Sequence, residues 1–112
     1  MTSTDRPIYE GRFFNVAIPT ATQARFQIEK QRVFRKEERK QVKVAWPLSD
    51  HVRHIVEEID FWTVERGCDS FDVKCDVKIE QVKEMFELFG YFVEEGGNYG
   101  IVLNMNSSSA KK

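Results

Sequence analysis

Ser70-Phe-Asp-Val-Lys-Cys-Asp-Val77 runs straight into Lys78-Ile-Glu-Gln-Val-Lys-Glu-Met-Phe-Glu-Leu-Phe89, and the apolar period changes at the junction. In the first run Phe71, Val73, Cys75 and Val77 alternate with Ser70, Asp72, Lys74 and Asp76, which predicts a strand with one wet face. In the second, Ile79, Val82, Phe86 and Phe89 recur at helical spacing with Met85 beside them. Gly90 stands where a helix closes on a left-handed residue. Residues 91–95 and 98–105 then read as two strands around Gly96-Gly97-Asn98, a turn that tolerates positive φ. Residues 70–105 are therefore a βαββ unit, the half of a ferredoxin-like arrangement.

Working toward the N-terminus, Ser49 reads as an N-cap and Asp50 suits the positive end of a helix. Val52, Ile55, Val56, Ile59 and Trp62 fall on one stripe before Gly67. Residues 41–46 alternate Val42, Val44 and Trp46 against Lys43 and Ala45, a strand ended by Pro47. Residues 8–18 form another, with Phe14, Val16 and Ile18 opposite Phe13, Asn15 and Ala17, stopped by Pro19. Thr20 and Gln23 make a capping box, and strong helix formers follow to about residue 40. No Gly, Asn or Pro marks a turn within 35–39, so a helix over 21–40 is expected in preference to a hairpin.

The expected fold is α+β: one small sheet, mixed or antiparallel, packed by two to three helices and closed by a β-hairpin. A winged-helix domain with the Gly96-Gly97 hairpin as its wing is the runner-up. Residues 8–105 read as a single domain, residues 1–7 as a flexible start, and residues 106–112 as a disordered polar tail. Composition agrees with one ordered core: 41% of residues are hydrophobic and 31% charged. No apolar run approaches the roughly 20 residues that cross a bilayer, so no membrane partner is expected. Cys68 and Cys75 are too few for a disulfide scaffold, which points to a cytoplasmic or nuclear protein.

The net charge of −1 conceals a division. Between residues 25 and 43 lie Arg25, Lys30, Arg32, Arg35, Lys36, Arg39, Lys40 and Lys43 against Glu29, Glu37 and Glu38. From residue 50 onward Asp and Glu outnumber Lys and Arg. On a helix over 21–40, Arg25, Arg32 and Arg39 share one line with Arg35 and Lys36 beside it, while Phe26 and Val33 face the core. Such a stripe meets acidic protein surface or phosphate. Phe61 and Leu88 fall opposite the buried stripes of their helices and so point outward.

Other chemistry is thinly supported. His51, His54 and Glu58 share a helix side at ligand-compatible spacing, and Cys68 and Cys75 are conceivable additions. Cys75 sits on an apolar strand face, however, and the pair lacks a zinc-knuckle spacing, so neither metal nor cofactor is expected. No phosphate loop or nucleophile elbow is present, which ranks an enzyme third. The leading expectation is a non-catalytic binding or regulatory domain that self-associates or meets a protein partner through Arg25, Arg32, Arg35, Lys36, Arg39, Phe61 and Leu88. The alternative is RNA or single-stranded DNA binding through the basic helix.

Overall fold

A computed structural model describes residues 11–75, 78–96 and 100–105. The order is β1 (Phe13–Ile18), α1 (Ala21–Lys30), β2 (Lys40–Ala45), α2 (Leu48–Asp60), β3 (Ser70–Lys74), α3 (Ile79–Leu88), β4 (Phe92–Gly96) and β5 (Gly100–Asn104). The α+β class holds, with helices at all three main positions. The strands, however, divide into two antiparallel sheets instead of one: β1 with β2, and β3-β5-β4. The expected terminal segments 1–7 and 106–112 lie outside the described residues, as do residues 8–10 of the strand expected over 8–18, residues 76–77 of the strand expected over 70–77 and the tip of the hairpin.

In the three-stranded sheet β3 and β4 both run antiparallel to β5, which lies between them, so β3-α3-β4 is a crossover with a strand inserted. Alternation sets which side is buried: Phe71, Val73 and Cys75, then Val93, then Ile101, Leu103 and Met105 are in the core. Val82 and Phe86 of α3 join them. Gly100 has φ +126°, and a Cβ there would meet the Cys75 carbonyl oxygen at 2.3 Å, so only glycine allows this approach of the two strands.

Helix α2 buries Val52, Ile55, Val56 and Ile59 against β1, β2 and β3 and so joins the two sheets into one core. It begins one residue before the expected cap. Ser49 lies inside its first turn, fully buried, and its hydroxyl has no hydrogen-bond partner among the described residues. Beyond Asp60 the helix widens into a π-type turn, Phe61–Glu65, which holds Trp62 stacked on Phe71 at 5.8 Å.

The expected helix over 21–40 is corrected most. Its start follows the sequence, with Gln23 N–H donating to Thr20 Oγ1 at 3.1 Å and Thr20 N–H to Gln23 Oε1 at 3.0 Å. It then ends at Lys30, because Gln31 takes a left-handed conformation, φ 55°, and donates its N–H to the Gln27 carbonyl. The chain continues through a single 3-10 turn, Lys36–Glu38, into β2. Helix α1 docks through Ala21, Ala24 and Gln27, which leaves Phe26 40% and Val33 43% exposed instead of core-facing.

Candidate functional site

The geometry of the basic segment follows from one buried amide. Gln27, 0% exposed, sits on α1 beside the π-type turn. Its Nε2 donates to Thr63 Oγ1 at 3.0 Å and to Asp60 Oδ1 at 3.2 Å. Its Oε1 accepts from the Phe34 N–H at 2.8 Å and from Arg39 Nη2 at 3.2 Å. Both amide hydrogens and both carbonyl lone pairs are therefore engaged. Arg39 also donates from Nη2 to Asp60 Oδ1 at 2.9 Å and from Nε to the Phe34 carbonyl at 2.8 Å. Leaving such groups unpaired inside the protein costs several kcal/mol, so the network outweighs the preference of residues 31–39 for continuing a helix.

Tyr91 closes the other side. Its hydroxyl donates to the Pro19 carbonyl at 2.6 Å. Burial pushes its pKa well above the usual tyrosine value; the negative charge of Asp60 adds to the rise, and Arg39 opposes it.

The arginine stripe does not form. Arg39 is 9% exposed and its guanidinium is held by Asp60, Gln27 and Phe34. Arg25 stays on α1, where Nη1 donates to the Met105 carbonyl at the end of β5. Arg32 lies over the Phe34 ring at 5.1 Å. Arg35 and Lys36 are exposed and line one shallow cleft together with Val33, Phe34, Arg39 and Asp60. Phe61 is 43% exposed with the Arg66 guanidinium 5.6 Å from its ring centre, and Leu88 is 82% exposed on α3. The seven residues thus occupy at least three separate places, and Arg35, Lys36 and Arg39 are brought to one cleft.

Exposed apolar side chains outside that set are as prominent. Phe13 is 63% exposed on β1, and Phe92 is 37% exposed on β4. Phe26 lies 5.8 Å from Phe34, with Lys30 Nζ 5.5 Å from the Phe26 ring centre. The sequence held a signal for Phe26: Ala21, Ala24 and Ile28 recur on the opposite side of α1, the spacing of a buried stripe. It held none for Asp60, whose role depends on a chain reversal 21 residues earlier.

His54 Nε2 lies 3.7 Å from Glu58 Oε2, whose other oxygen accepts from Trp62 Nε1 at 3.1 Å. Among the described residues no group of three or more His, Cys, Asp or Glu is placed to hold a metal ion. Nor is any helix among them long and apolar enough to cross a membrane. Cys68 is half-buried and Cys75 is buried, and neither is joined in a disulfide.

No family model, curated protein or solved structure matches the chain.

Proposed function

We propose that the protein is a non-catalytic binding domain that works through protein contacts and associates with itself, in a cytoplasmic or nuclear compartment where Cys68 and Cys75 remain thiols. The carrying observation is the placement of the exposed apolar side chains. Phe26 and Val33 emerge from the basic part of the chain and Phe61, Leu88 and Phe92 from the acidic part, while Phe13 stands on β1. Complete burial of such a side chain from full exposure is worth about 1.5–3 kcal/mol, and Leu88 and Phe13, 82% and 63% exposed, retain most of that to gain on contact, more than charge attraction at an exposed surface supplies. Opposite charge around the two sets steers one against the other and fixes their orientation. Residues Arg32, Arg35 and Lys36 take the steering role, and Phe61 and Leu88 are anchors.

A second reading is favoured by one observation. Phe26 and Phe34 form a tilted pair with Lys30 and Arg32 over their rings, a combination on which unpaired nucleobases stack while their phosphates meet cations. Light scattering at low and moderate salt, alone and with a generic single-stranded oligonucleotide, separates the two. Protein contact predicts a mass above 13.2 kDa without oligonucleotide. A monomer that forms a complex only with the oligonucleotide, losing it steeply as salt rises, would replace the first reading with the second.

A further inference from the structure

The two sheets end in four edge strands, and those edges are not alike. Strands β2, β3 and β4 carry Lys40 and Lys43, Asp72 and Lys74, and Glu94 and Glu95 respectively; β1, Phe13-Phe-Asn-Val-Ala-Ile18, carries no charge and no proline. Charged or proline-bearing edges discourage strand addition, and β1 has neither device. Its pairing with β2 exposes a defined set of groups. Trp46 N–H donates to the Arg12 carbonyl, so in the alternating antiparallel ladder Phe13, Asn15 and Ala17 direct their N–H and C=O away from β2. Among the described residues no strand pairs with that edge. A cleft runs along it between residues 14–17 and α2, walled by Val56, with Arg53 and Lys36 against Glu57.

Strand β4 is the opposite case. Met105 N–H donates to the Asp69 carbonyl, and the same alternation aims the Val93 and Glu95 main chain outward from β5. Beside Glu95 lies a cleft lined by Glu80, Glu84 and Glu87 of α3, with Lys83 as its cation. A second β4 brought to this edge would set Glu94 and Glu95 against their own copies, which disfavours a symmetric β4 pair.

We infer that the chain self-associates head to tail by strand addition, the uncharged β1 edge of one copy pairing with the acidic β4 edge of the next. This rests on the self-association reading above and specifies its surface. Main-chain bonds would form between the outward groups of Phe13, Asn15 and Ala17 and those of Val93 and Glu95 on the neighbour. Lys36 and Arg53 would then face the carboxylates along α3 and β4. Because the two surfaces differ, each copy retains one free edge after pairing and the association extends.

Mixing two edge-blocked variants tests this. Ala17→Pro removes an outward N–H from the β1 edge without touching a β2 bond. Glu94→Lys with Glu95→Lys reverses the β4 edge. Each variant alone is expected to sediment as a monomer, whereas an equimolar mixture doubles in mass and grows no further, since it contains one working edge of each kind. Lys36→Glu, an exposed change that leaves the β1 ladder intact, is run in parallel with Ala17→Pro and should weaken wild-type association at least several-fold. Variants that stay monomeric when mixed, while wild type associates, would overturn the β1–β4 pairing and leave self-association standing. A wild type that remains monomeric at every concentration would overturn both.

Discussion

Residues 70–105 and residues 20–45 each fold a helix against strands, yet different forces hold them. In the first, burial follows alternation: Phe71, Val73, Val82, Phe86, Val93, Ile101 and Leu103 are inside, and no charged side chain is needed to place them. In the second, helix α1 contributes two alanines and a glutamine to the core, and residues 31–39 are fastened by bonds from Gln27, Arg39 and Asp60. A small apolar face is offset by a satisfied polar network, which fixes one conformation where several would otherwise compete. The difference also decides the surface, because the cation drawn inward at Arg39 is withdrawn from any partner.

The largest test of the contrast lies on the apolar side. Phe86→Ala leaves a cavity beneath Tyr91, whose ring it meets at 5.7 Å, and should cost about 4 kcal/mol in urea unfolding. Asp60→Ala strands the Arg39 guanidinium and should cost about 3 kcal/mol by the same measurement. Replacing both partners, Arg39→Met with Asp60→Leu, should recover much of that loss. A cost under about 1 kcal/mol for Asp60→Ala would show that the two regions are held alike.

Tyr91 bridges the regions and gives a pH signature. Its folded pKa is raised, so its contribution is complete below about pH 10, where the unfolded chain also keeps the proton. Above that value only the folded chain keeps it, and stability should fall by about 1.4 kcal/mol per pH unit more steeply than in Tyr91→Phe. Equal alkaline slopes for the two proteins would place the hydroxyl in water. The smallest effect concerns the surface: Leu88→Ser should leave stability within about 0.5 kcal/mol while weakening association in sedimentation.

What the sequence disclosed divides along the same line. The alternation of residues 70–75, the stripe of α2, the capping box at Thr20 and the outward angles of Phe61 and Leu88 are local patterns, and each appears in the structure where its period places it. The end of α1 has no such pattern. Gln31 occupies the left-handed position usually given to glycine, and what stabilises the turn is an amide four residues earlier with a carboxylate in another helix. A period cannot report a bond between residues 27 and 60. The same gap hid the division into two sheets, since strand partners are set by tertiary packing and not by the strands' own patterns. It also turned Arg39 from a surface residue into an internal one.

Residues 31–39 are fastened inward through Gln27, Arg39 and Asp60, which leaves Arg32, Arg35 and Lys36 outside. Hydrogen exchange followed by NMR tests this at two protons. The Phe34 amide, bonded to Gln27 Oε1, and the Arg39 Nε–H, bonded to the Phe34 carbonyl, should both exchange slowly near neutral pH, and Gln27→Ala should release the first. A freely exchanging Arg39 Nε–H, together with protected amides running unbroken from residue 31 to residue 39, would instead describe a continuous helix with its arginines in solvent.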